Sequence, residues 1–327
     1  MRKRQLEITP VSSPLRAAFA ISRGAKTQAE TIRVRLTDGA HAGRGECVPY
    51  ARYGETAASV IAALETVHRE IEAGLDRAGL QAALPAGAAR CALDCALWDL
   101  EARQTGTPVW QRADLPPPRP VETAVTISLA APEDMAEAAR SAPGKLLKLK
   151  LGGAGDLDRI QAVHLARPNA RLIVDANEGL MPEAFQSIAR AGAQLGVVLI
   201  EQPFPAGKDD ALLRRPGPVA VCADESAHTS ADIQTLAKSY DAVNIKLDKA
   251  GGLTEALAMV RAARQSGLGV MIGCMVASSL SMAPAVLLAG LADAADLDGP
   301  LWLEQDIADG LAYTDGHIAP PTPELWG

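Results

Sequence analysis

Near the start of the chain, apolar and polar positions alternate before they settle into helical spacing. Within 31–37, Ile32, Val34 and Leu36 alternate with Arg33 and Arg35, the period of a half-buried strand. Asp38-Gly39 supplies a turn, and 43–48 reads as the return strand. Residues 57–73 and 87–103 then carry helical patterns, the second rich in Ala and Leu around Trp98 and ended by Gly106 and Pro108. Strands followed by helices predict a small α+β domain over 1–115. Pro116-Pro117-Pro118-Arg119-Pro120 predicts a stiff linker at 116–120.

Beyond the linker the texture changes. Short apolar runs at 121–129, 146–151, 172–175, 197–201, 219–223, 242–247, 269–273 and 295–298 are separated by Ala-rich helical stretches. Eight such runs predict a parallel βα barrel over 121–305, and the last run has no obvious helix of its own. The 180 residues from 121 to 300 are compact against the ~250 usual for such barrels. Asp315-Gly316 predicts a hairpin within the tail 306–327, which is expected to return to the first domain. An open doubly wound sheet is the competing architecture, and the absence of GxGxxG after the first strand counts against it.

Composition narrows the function classes. A net charge of −7 without any Lys/Arg cluster argues against a nucleic-acid partner. The basic start Met1-Arg2-Lys3-Arg4 lacks a following apolar stretch, and no apolar run is long enough to cross a bilayer, so a cytoplasmic protein without a membrane partner is expected. Cys47, Cys91, Cys95, Cys222 and Cys274 include no CxxC pair and read as buried free thiols.

Charged residues close the apolar runs. Lys150, Asp175, Glu201, Asp224 and Lys246 follow one another at intervals of 25, 26, 23 and 22 residues, each about one βα unit. In a barrel they would share one height on successive strands, on the face where active sites form. Asp175, Glu201 and Asp224 would converge as three hard oxygen ligands suited to Mg²⁺, with Mn²⁺ as a substitute. Lys148 and Lys150 face the same way, and their repulsion and a nearby cation would lower the ammonium pKa towards that of a general base. Lys246, four units beyond Lys150, would stand across the barrel. Two bases on opposite faces of a substrate suit proton removal and return at the carbon next to a carboxylate, which is racemisation or epimerisation. Lys148 has an alternative role, neutralising the carboxylate cluster.

At these residues the chain resembles the enolase superfamily, muconate-lactonizing subgroup. The matching segments are Gly45-Glu-Cys, the thirteen residues from Gly87 to Asp99, Lys148-Leu-Lys150, Asp175-Ala-Asn177, Glu201-Gln-Pro, Ala223-Asp-Glu-Ser and Asn244-Ile-Lys246-Leu-Asp-Lys-Ala-Gly-Gly. The resemblance implies a (β/α)7β TIM-type barrel under a capping domain, Mg²⁺ on Asp175, Glu201 and Asp224, and Lys150 and Lys246 as acid/base catalysts. It implies a place for Lys148 beside the substrate carboxylate or Lys150. Within the subgroup the chain looks most like dipeptide epimerases acting on L-Ala-D/L-Glu, with peptidoglycan recycling as the setting. Asp296-Leu-Asp298 would then receive a dipeptide's α-ammonium group, unless one of the pair only caps the loop. Arg23 is the candidate for an acidic side chain, against a surface role. Tyr50, Arg52 and Tyr53 form a second cap loop, and Met275 and Ser278 are expected to line the pocket. Epimerases with other side-chain preferences, N-acylamino-acid racemases and cycloisomerases of the same superfamily are the alternatives, and a homo-oligomer is left open.

Overall fold

The computed structural model describes residues 4–214 and 217–327; Met1–Lys3 of the basic start lie outside it. The chain opens with a long antiparallel hairpin, β1 (Gln5–Ile21) against β2 (Gly24–Asp38), and β3 (His41–Cys47) returns along β2. Sequence alternation caught only the end of β2 and the return strand. The rest of the hairpin is largely exposed, and the short alternation of Leu6 and Ile8 with Glu7 and Thr9 is broken at Pro10 and Pro14, so the periodic signal there is weak. The expected 57–73 helix breaks at Val67 (φ −103°, ψ 10°) into α1 (Ala57–Thr66) and α2 (His68–Glu72), followed by α3 (Arg77–Ala83).

Helix α4 (Ala88–Thr105) is buried almost throughout, and β3 lies directly on it. Glycine makes that approach possible. A Cβ at Gly43 would stand 2.1 Å from the Ala96 carbonyl oxygen, and one at Gly45 2.1 Å from that of Ala92. Short α5 (Val109–Arg112) completes this unit.

The expected run 121–129 divides in two. Thr123 and Ala124 interrupt it, so β4 (Val121–Glu122) pairs with the tail strand His317–Ile318 and only β5 (Val125–Ile127) enters the barrel. From there β6 (Leu146–Lys150), β7 (Arg171–Asp175), β8 (Val197–Glu201), β9 (Ala220–Ala223), β10 (Ala242–Lys246), β11 (Gly269–Gly273) and β12 (Ala294–Asp296) follow as neighbours in order, all parallel. The Ala124 N–H donates to the Ala295 carbonyl at 2.8 Å, linking the two ends into a nearly closed barrel. The crossovers carry α6 (Pro132–Ser141), α7 (Asp156–Ala166), α8 (Pro182–Ala191), α9 (Ile233–Leu236), α10 (Leu247–Ala250), α11 (Leu253–Gln265) and α12 (Ser279–Ala289). Between β8 and β9 the described residues hold only a 3₁₀ turn, Asp210–Arg214, which helps explain the barrel's brevity.

The tail forms the hairpin β13 (Tyr313–Thr314) and β14 (His317–Ile318), which extends β4. It then reaches the N-terminal unit, where buried Trp326 donates its indole N–H to the carbonyls of Arg44 and Cys95. One apolar core runs through both units, and a separate layer of Ala124, Leu146, Ile173, Leu199, Cys222, Ala242 and Met271 fills the barrel interior.

Candidate active site

Strand register sets the height of the charged residues. Lys150 pairs with Asp175 and Asp175 with Glu201; Lys246 pairs with Gly273 and Gly273 with Asp296. Asp224 stands one residue past the end of β9. In sheet order β10 lies four strands from β6, which in an eight-stranded barrel is the far side. Lys150 and Lys246 therefore face one another across the mouth, and both line a cavity of about 800 Å³ beneath the cap.

The carboxylates are held by ammonium groups. Lys150 Nζ lies 2.6 Å from Asp175 Oδ2, and Lys246 Nζ 2.7 Å from Asp224 Oδ2. Lys148, fully buried, touches Asp175, Glu201 and Asp296 at 3.1, 2.8 and 2.7 Å. Its contacts are those of a neutralising cation, and it does not line the cavity. For Lys148 the expected lowering of the ammonium pKa is reversed. Burial does pull Lys148 and Lys246 down, but Asp175, Asp296 and Glu201 around the first, and Asp224 beside the second, outweigh it and hold both well above the usual value. Lys148 and Lys150 also share Asp175 Oδ2, which offsets their mutual repulsion.

Among the described residues no three His, Cys, Asp or Glu side chains are arranged to hold a metal ion as they stand, since lysines fill the space between the carboxylates. The donor set nonetheless fits a hard divalent cation. Asp175, Glu201 and Asp224 are fully buried, and Glu201 is pushed up to about 8 by burial and by the nearby charges of Asp175 and Asp224. Burial alone would raise Asp175 and Asp224, but Lys148 and Lys150 around the first and Lys246 and Lys249 around the second outweigh it and hold both below the usual carboxylate range, so they present anionic oxygens.

At the end of β12, the two aspartates differ. Asp298 accepts the Thr126 N–H at 2.7 Å and the Trp302 indole N–H at 3.4 Å, tying the eighth strand to the first. Asp296 gives one oxygen to Lys148, while its Oδ1 is buried without a partner. An unmatched buried carboxylate oxygen lining a cavity is a ready acceptor for a cationic group.

The cap supplies the roof. Arg23, at the β1–β2 tip, reaches Glu225 at 2.8 Å, the Asn177 carbonyl at 2.8 Å and the Tyr50 hydroxyl at 3.3 Å. Met275 lines the cavity. Ser278 does not: its N–H and hydroxyl both bond Glu46 at 2.9 Å, docking α12 onto β3. Sequence reading gave no role to Lys249, Glu178, Glu225 or Phe19. Lys249 is buried against the side chain and main-chain carbonyl of Asp224, and Phe19 places its ring 5.7 Å from Lys150 Nζ. Their sequence contexts carry no period, and they meet the site only in space. Lys249 and Glu225 did stand in quoted motifs, Lys249 three residues after Lys246 and Glu225 directly after Asp224.

Residues 3–112 match the family described as Mandelate racemase / muconate lactonizing enzyme, N-terminal domain, and residues 131–324 match Enolase C-terminal domain-like. The chain is 43% identical to the L-Ala-D/L-Glu epimerase of Escherichia coli (strain K12), covering 96% of this chain and 99% of that one. It is 42% identical to the N-acetyl-D-glutamate racemase of a Pseudoalteromonas species, over 90% and 95% of the two chains. An enolase family member from Agrobacterium tumefaciens with homology to dipeptide epimerases, crystallised with sodium and L-Ala-L-Glu, superposes with a TM-score of 0.97 at 47% identity, over 99% of this chain and 100% of that one. A dipeptide epimerase of Cytophaga hutchinsonii, complexed with Mg and D-Ala-L-Val, superposes at 0.91 with 26% identity, over 98% and 94%.

Proposed function

The chain belongs to the mandelate racemase / muconate lactonizing enzyme family of enolase-like proteins, and from that premise we propose that it is a dipeptide epimerase. The reaction moves the proton on the α-carbon of the second residue, and L-Ala-L-Glu and L-Ala-D-Glu, of the kind released from murein, are its preferred pair. The placement of Lys150 and Lys246 on opposite sides of one cavity carries the reading. A substrate lying between them offers one face of its α-carbon to each amine. One, as the free amine, removes the proton, and the other, as an ammonium, donates a proton of its own to the opposite side, which inverts the centre. The ion pairs with Asp175 and Asp224 oppose the free amine, and a cation held by those carboxylates would favour it.

Asp296 Oδ1 receives the α-ammonium group, a partner it lacks otherwise. Asp298 stays with Thr126 and fixes the loop that carries Asp296. Mg²⁺, with Mn²⁺ as a substitute, would be held by Asp175, Glu201 and Asp224 and would supply positive charge against that developing on the substrate carboxylate. Lys148 neutralises Asp175 and Glu201 from beneath. Arg23 meets the acidic side chain of the second residue with the Nη2 that now reaches Glu225.

The 42% identity to an N-acetyl-D-glutamate racemase favours one rival, in which the amino end is acylated and uncharged. Proton NMR in D₂O with Mg²⁺ separates the two. L-Ala-L-Glu should lose its glutamyl α-proton signal and gain the D-Glu diastereomer, with N-acetylglutamate exchanging far more slowly. Faster exchange of N-acetylglutamate than of any free dipeptide would sink the dipeptide reading.

A further inference from the structure

Two arginines from separate cap loops converge on one barrel carboxylate. Arg52, in the 50–53 loop, gives Nε and Nη2 to the two oxygens of Glu178, each at 2.7 Å. Arg23, from the β1–β2 tip, gives Nη1 to Glu178 at 3.3 Å while its Nη2 reaches Glu225 at 2.8 Å. Glu178 is the fixed member of this group. Its side chain is 9% exposed, against 38% for Arg52 and 29% for Arg23. The Ala206 N–H donates to Oε1 at 2.8 Å, and the Glu178 N–H donates to the Gln202 carbonyl at 2.9 Å.

The backbone at this post is itself unusual. Asn177 and Glu178 have φ of 44° and 69°, the left-handed region that non-glycine residues avoid. Such conformations persist where the surroundings over-determine them, and they cluster at ligand clamps. Both arginines line the cavity, whereas Glu178 stands behind them. The bidentate contact uses one edge of Arg52 and leaves Nη1 for a further acceptor. A guanidinium already tethered loses less side-chain freedom when an anion arrives.

We propose that Glu178 is a specificity-determining positioning residue, tying Arg23 and Arg52 of two cap loops to the barrel rim so that a guanidinium pair selects an acidic second side chain. This rests on the dipeptide reading above. The test compares L-Ala-L-Glu with L-Ala-L-Gln, which has nearly the same shape without the charge, for wild type and Glu178→Gln. KM for L-Ala-L-Glu should rise about tenfold or more, the size of a lost charge-assisted bond, with kcat within about twofold. The constants for L-Ala-L-Gln should move by less than about twofold, which also shows that the variant folds. Arg52→Met should reproduce the same split.

Equal losses on both substrates, or an unchanged ratio in either variant, would overturn the tether while leaving the dipeptide reading intact. A wild-type enzyme inert towards both dipeptides would overturn that reading, and the tether with it.

Discussion

At the residue scale, the chemistry is concentrated in side chains whose neighbours leave one atom unmatched. Asp296 is the clearest case, with one oxygen on Lys148 and the other buried without a partner. Asp296→Asn should raise KM for free L-Ala-L-Glu by roughly 10- to 100-fold, the loss of a hydrogen bond to a charged group. An N-acetylated dipeptide, which has no ammonium, should be unaffected by the same change. A parallel loss on both substrates would place Asp296 in structural support instead. The lysines and the three central carboxylates were legible in the sequence because strand ends recur at a nearly fixed interval, and the register keeps that order. Glu178 and Glu225 were not, because each acquires its partner from a cap loop more than a hundred residues away. Ser278 was expected in the pocket from its position after β11, yet Glu46 claims both of its donors.

At the scale of elements, the cap is fixed to the barrel by α4 and the segment following Lys246. Arg90 donates to the carbonyls of Ala250 and Gly251, Asp94 accepts from the N–H and hydroxyl of Thr254, and Asp248 accepts the Val48 N–H. The motif containing Lys246 is thus also the docking strip for the cap, and the cap loops inherit their position from it. Gly45→Ala should destabilise the protein by about 1–3 kcal/mol in denaturant unfolding, the usual cost of overpacking, because its Cβ would meet the α4 backbone.

Asp94 predicts a pH effect. Burial raises its pKa to about 6, above the ordinary 3.8, so the folded state holds the proton more tightly than the unfolded one. Its contribution is fully present below pH ~4 and is lost as pH rises through about 6. The unfolding free energy of wild type minus that of Asp94→Asn should therefore fall between about pH 4 and 6 and level off above that. A flat difference would contradict the assignment. Helices and strands with a strong period were visible in the sequence. The split of 121–129 was not, because Val121, Val125, Ile127 and Leu129 keep one alternating phase across Thr123 and Ala124, and nor was the 3₁₀ turn that is all the described residues hold between β8 and β9.

At the scale of the whole molecule, barrel and cap share one apolar core, and the tail joins them through Trp326. The site lies between them, so cation binding should register as global stability. Adding Mg²⁺ should raise the melting temperature, as expected for a ligand of the folded state alone, and Asp224→Asn should blunt that rise. No change on Mg²⁺ addition would remove the carboxylate trio from the account.

The central claim is that two amines serve opposite faces of one α-carbon. It is tested most directly by following α-proton exchange in D₂O from L-Ala-L-Glu and L-Ala-D-Glu, separately, with Lys150→Ala and Lys246→Ala. Each variant should fail to interconvert the diastereomers, and any residual exchange should fall on one diastereomer for Lys150→Ala and on the other for Lys246→Ala. Interconversion at the wild-type rate by either variant, or residual exchange of the same diastereomer by both, would contradict it.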